Sequence, residues 1–152
     1  MKPSLLLSIP FLSALLGCGI IGNYQRINLY PVNSTGMNQP LNGTIYNLSG
    51  KIKLTLANGT EYQGELFKVA RPQDPSDTLY SDKLGFPKNW DAVYGDHYYS
   101  KNVLGSERYW RCNLTTTSTD SIYLEIIRPN LNSDIRLGVA VDSKGQAYKV
   151  TF

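Results

Sequence analysis

Short runs of alternating apolar and polar residues dominate this sequence, and a period of two commits a chain to half-buried strands. Ile52, Leu54 and Leu56 alternate with Lys51, Lys53 and Thr55. Beyond Asn58-Gly59, Tyr62, Gly64 and Leu66 alternate with Glu61, Gln63 and Glu65. A two-residue Asn-Gly turn would set Leu54 opposite Gln63 and mix the two faces. A three-residue loop, Ala57-Asn58-Gly59, with Gly59 left-handed in a bulge, instead pairs Leu56 with Thr60, Leu54 with Tyr62 and Ile52 with Gly64. That keeps the apolar residues on one side, so the bulged loop is expected.

The same period recurs along the chain. Ile27 and Leu29 alternate with polar neighbours in a short strand that stops at Pro31. Trp110, Cys112 and Leu114 form one face, and Ile122, Leu124 and Ile126 the next. Ile135, Leu137, Val139 and Val141 predict a further inward face. A four-residue turn, Asp142-Ser143-Lys144-Gly145, would pair Val139 with Tyr148, Leu137 with Val150 and Ile135 with Phe152. Residues 33–42, rich in Asn, Gly and Ser, read as a loop. Residues 70–89, with Pro72, Pro75 and Pro87, read as a long irregular segment. Only 90–104 has helical spacing, through Val93, Tyr94, His97 and Tyr98, and Gly95 weakens it. The expected fold is mainly β: one small antiparallel β-sandwich or open barrel of roughly eight short strands, with one long irregular, partly helical segment.

The first eighteen residues speak to location. Lys2 precedes an apolar run from Leu5 to Leu16, too short to span a bilayer, and small Gly17 stands before Cys18. The ending Leu15-Leu16-Gly17-Cys18 looks like the lipobox of bacterial lipoproteins. That likeness implies a diacylglycerol on the Cys18 thiol and cleavage just before it. The expected organisation is a lipoprotein signal peptide over 1–17, a lipidated tether over 18–25 and a single β-rich domain over 26–152. Gly19 stands where an Asp would resemble an inner-membrane retention signal, so the analogy favours the outer membrane, facing the periplasm.

Charge adds an exclusion. Fifteen Lys+Arg against twelve Asp+Glu, with no basic block, give no basis for nucleic-acid binding. The expected partners are the membrane, through Cys18, and an envelope protein or glycan.

Several short motifs carry a resemblance. They are Leu29-Tyr30-Pro31-Val32, Ala57-Asn58-Gly59-Thr60-Glu61 with Gly64, Tyr94-Gly95, and Val103-Leu104-Gly105-Ser106. Gly138-Val139-Ala140 followed by Asp142, Gly145, Tyr148-Lys149 and Phe152 completes the set. Together they resemble an uncharacterised family of small lipoproteins from Gram-negative bacteria. The matching residues are turns and strand positions, so the resemblance implies a fold and no chemistry. It also implies a Gly near the position of His97.

Residues that could carry chemistry are sparse. Cys112 with His97 would make a nucleophile and its base. The Trp110 and Leu114 face predicts a buried, inert thiol instead. Asp96-His97 with a serine lacks a Gly-x-Ser-x-Gly elbow. One His and one usable Cys fall short of a zinc site, and Asp74, Asp77 and Asp82 lack the spacing of a calcium loop. No cofactor is expected. Trp90, Tyr94, Tyr98 and Tyr99 could form a binding surface, or a lid packed across the sheet. The expected function is a non-catalytic bacterial envelope lipoprotein, a structural or binding module. The alternative is a periplasm-facing hydrolase using His97 with Cys112 or a serine.

Overall fold

Nine strands and one short helix account for the regular structure in the computed structural model, which describes residues 23–32, 39–69, 84–128 and 135–152. The strands are β1 (Tyr24–Pro31), β2 (Leu41–Tyr46), β3 (Lys51–Thr55), β4 (Glu61–Glu65) and β5 (Phe67–Lys68), then β6 (Tyr109–Thr115), β7 (Ser121–Ile127), β8 (Leu137–Asp142) and β9 (Ala147–Thr151). Between β5 and β6 lie helix α1 (Phe86–Tyr94) and a single π-helical turn over Tyr99–Val103. Every pairing is antiparallel.

The sheet closes on itself. β4 meets β6 at Gln63 and Thr115, and β9 returns to β1 with Leu29 opposite Val150. Eight strands form the barrel, and β5 extends the line of β4 along β6 with Phe67 opposite Arg111. Closure removes the edges that a sandwich or open barrel would leave exposed. The expected strand class is therefore correct, and the sheet is a closed barrel. All eight barrel strands fall within Tyr24–Thr151, so the ladder is complete without residues before β1.

Side chains fill the interior. Ile27, Leu29, Ile45, Ile52, Leu54, Leu114, Ile122, Leu124, Ile126 and Val150 are buried there with Cys112 and Ala140. On β3 and β4 the outward positions carry Lys51, Lys53, Glu61 and Glu65, with Lys53 and Glu61 bridged at 2.6 Å. That polar exterior is opposite to the apolar outer band of a lipid-spanning barrel.

The first hairpin matches its expected register. Ile52 pairs with Gly64 and Leu54 with Tyr62, and Leu56 N–H donates to Thr60 O at 2.9 Å. Gly59 has φ 82°, the left-handed turn of the bulge.

The last hairpin does not. Gly138 pairs with Val150, Val139 with Lys149, and Ala140 with Tyr148, one residue away from expectation. Asp142 N–H donates to Gln146 O at 3.0 Å, leaving a three-residue loop with Gly145 at φ 84°. The loop is therefore of the same kind as Ala57-Asn58-Gly59. Small Gly138 and Ala140 face the interior, while Leu137, Val139 and Val141 face outward beneath α1. Both faces of β8 are covered, so hydrophobicity alone could not distinguish inside from outside.

Three boundaries also move. β1 starts at Tyr24, inside the expected 18–25 tether. β2 occupies a stretch partly read as loop, because its inward alternation of Leu41 and Ile45 is interrupted by Gly43. That glycine is required: a Cβ there would collide with the Lys53 carbonyl oxygen and the Leu54 side chain. The helical stretch expected over 90–104 begins earlier, at Phe86, and is broken at Gly95, whose φ is 106°, before helical backbone resumes in the π turn Tyr99–Val103. The acidic loop bearing Asp74, Asp77 and Asp82, and the turn at Pro129-Asn130, lie outside the described residues.

Candidate functional site

Helix α1 begins where chain geometry favours it. Gly85 caps it in the left-handed region, and Pro87 sits in its first turn, where no N–H bond is lost. Its apolar side lies against the outer wall of the barrel. Phe86, Trp90, Tyr99, Val103, Tyr109, Ile127, Val139 and Val141 form this second core. The aromatic lid is therefore a packed layer. Trp90 is 0% exposed and Tyr99 3%, so neither belongs to the binding surface suggested for Trp90, Tyr94, Tyr98 and Tyr99.

Tyr94 and Tyr98 are half-buried. The Trp90 and Tyr94 rings stack with centroids 5.4 Å apart, Trp90 and Tyr98 at 6.0 Å, and Lys149 Nζ lies 5.5 Å from the Tyr94 ring centroid. The Tyr94 hydroxyl donates to Gly138 O at 3.1 Å and accepts its N–H at 3.3 Å. Burial pushes that phenol up to about 12. Adjacent Tyr98 and Tyr99 lie in a helical turn, with Tyr99 buried and Tyr98 half-buried against the same core.

Beneath this layer lies a polar cluster that alternation could not reveal. Glu125 projects from the outer face of β7 and is fully buried. Its Oε2 accepts from Trp90 Nε1 at 2.9 Å, and its Oε1 from Arg111 Nε at 3.1 Å. Arg111 also donates to the Tyr109 hydroxyl through Nη2 at 3.2 Å. Burial first, and the Glu125 charge second, push the Tyr109 phenol upward, keeping it neutral. This carboxylate is enclosed by partners and holds the helix on the barrel. Its only advance signal is a single Glu within the apolar run Ile122 to Ile127.

The suggested nucleophile and base are not brought together. Cys112 is buried in the barrel interior, while His97 is exposed in the turn after α1, outside the wall. Burial pushes the Cys112 thiol up to about 12 from an ordinary 9.0, with Glu65 adding a smaller effect. His97 has φ 63°, in the left-handed region that glycine favours. Its carbonyl accepts from Ser100 Oγ at 3.0 Å, completing the turn.

Cys112 should accordingly react with a thiol reagent at neutral pH only as fast as the barrel opens, and rapidly once it is unfolded. The raised pKa also has a defined sign. Its contribution is fully present below about pH 9 and is lost as pH rises toward about 12. Rapid native labelling would contradict this assignment.

Among the described residues, no group of three His, Cys, Asp or Glu side chains could hold a metal ion. Concave surface occurs at the barrel ends. At the Pro31 end a cleft of about 490 Å³ lies between Pro31, Gln39, Asn42, Thr55 and Tyr148. The Tyr148 hydroxyl donates to Asp142 Oδ2 at 3.0 Å. Pro40, Leu41, Leu56 and Ala57 also line it, so the cleft is uncharged and mixed polar and apolar, and of a size suited to a small ligand.

Fold and site together define a class: an eight-stranded antiparallel barrel with a filled interior, one outside strand and a helix on its wall. No family model, curated protein or solved structure matches the chain.

Proposed function

We propose that this protein is a lipid-anchored component of a bacterial envelope, held through Cys18, whose barrel serves as a non-catalytic binding or structural module. The observation carrying the anchor is the Leu15-Leu16-Gly17-Cys18 ending after a charged start and a short apolar run. Two or more acyl chains would make attachment stable, since each buried CH₂ contributes about 0.8 kcal/mol. A filled barrel interior supports binding at the ends or outer wall in preference to an enclosed ligand chamber. The uncharged cleft at the Pro31 end, where polar and apolar side chains are mixed, is then the natural place for a small neutral ligand or glycan unit.

The hydrolase reading has weaker support, because Cys112 and His97 lie on opposite sides of the wall. Labelled palmitate fed to a bacterial host should enter the wild-type protein and not Cys18→Ser. Uptake by Cys18→Ser would sink the anchor assignment.

A further inference from the structure

The exposed apolar side chains of the barrel are unevenly placed. Tyr24 and Tyr46 face each other across β1 and β2, and Leu48, 87% exposed, tops the following turn. Phe67 continues this rim beyond Leu66, whose N–H donates to Gly50 O at 2.9 Å. Ile135, 62% exposed, stands just before β8. All five lie in or beside strand ends at the rim where β1 begins, whereas Tyr30, 45% exposed, stands at the opposite end of β1. Scattered surface apolar residues are ordinary, but residues gathered on one rim form a patch.

Charge follows the same division. Among the described residues, Lys51, Lys68, Arg108, Arg128 and Arg136 stand at the Tyr24 rim against Glu65 and Glu107. A cleft of about 220 Å³ opens there, lined by Lys68, Arg128 and Arg136 with Trp110. The opposite rim carries Glu61, Asp120 and Asp142 against Lys144.

We infer that the Tyr24 rim docks on an anionic phospholipid surface, with its aromatic and aliphatic side chains in the headgroup layer and its cations against lipid phosphates. Aromatic rings beside Lys and Arg are the chemistry suited to that interface. The orientation, which rests on the anchor proposed above, follows from chain length. From Cys18 to Tyr24 the backbone reaches at most about 20 Å. The acyl group therefore keeps this rim beside the bilayer, and the Pro31 cleft is presented away from it.

The test uses a chain running from Gly19 to Phe152, which lacks Cys18 and any acyl group yet contains the complete barrel. Sedimentation with vesicles of mixed phosphatidylglycerol and phosphatidylcholine should show binding that weakens with added salt and is far weaker on phosphatidylcholine alone. Lys68→Gln should weaken it about fivefold, and Leu48→Asp with Ile135→Asp about tenfold or more. Lys144→Gln, on the opposite rim, should leave it unchanged. Circular dichroism of each variant verifies the fold, and these exposed positions do not contribute to the core. Absence of binding, equal binding to both vesicles, or an equal loss in Lys144→Gln overturns the proposal. Because this chain has no Cys18, the result is independent of the palmitate experiment, and either reading can fail alone.

Discussion

Trp90→Ala is expected to lower the unfolding free energy by about 3–5 kcal/mol, as for other fully buried aromatic side chains. The indole is wholly enclosed, stacks on Tyr94 and Tyr98, and donates to Glu125. Its loss opens a cavity between helix and barrel and removes a donor from a buried carboxylate. Domains of this kind have about 5–15 kcal/mol of stability in total, so the loss is a large fraction of it and should shift the urea midpoint clearly. Glu125→Ala should cost a similar amount, about 3–5 kcal/mol, because Arg111 loses its carboxylate while mostly buried. The two changes dismantle one contact, so the double variant should lose less than their sum. Urea unfolding of the three variants measures this. Additive losses would mean that the indole and the carboxylate act separately.

Gly138→Val is expected to destabilise the barrel by about 2–3 kcal/mol through overpacking. A Cβ at this inward position would stand 2.9 Å from Glu125 O and 3.0 Å from the Val150 Cβ. In the register expected from hydrophobicity, Gly138 would face outward, and a β-branched residue there would be tolerated or favourable. The measurement therefore has opposite signs for the two registers. An unchanged or raised urea midpoint would refute the observed pairing of Gly138 with Val150.

These two residues mark what alternation can and cannot convey. Ile52, Leu54 and Leu56 were legible because only one face of their hairpin is buried, and one register keeps it apolar. Leu137, Val139 and Val141 were equally legible as a face, but its direction was not. The narrow interior accepts Gly138 and Ala140, and the helix covers the larger side chains. The better guide was the loop: Gly145 supplies the same left-handed residue as Gly59, and both loops close with three residues. Pro87 misled in a similar way. Proline reads as a loop residue along a sequence, yet it starts a helix without losing a hydrogen bond.

The candidate sites divide likewise. Cys112 was recognisable as a core residue because Trp110 and Leu114 share its face. For Trp90 the aromatic cluster left a packed lid and a binding surface both open, and the choice was made by β7, thirty-five residues away, whose Glu125 accepts from its indole. The sequence by itself determined that the chain forms short antiparallel strands, that the first hairpin carries a bulge, and that the thiol is enclosed, since each depends on neighbours a few residues apart. Tertiary structure alone decided that β1 meets β9, that α1 covers β8, that Glu125 is enclosed, and that the exposed apolar side chains gather mainly on one rim. Those features depend on contacts between residues far apart in the chain, and a period of two specifies which faces are apolar without specifying what will cover them.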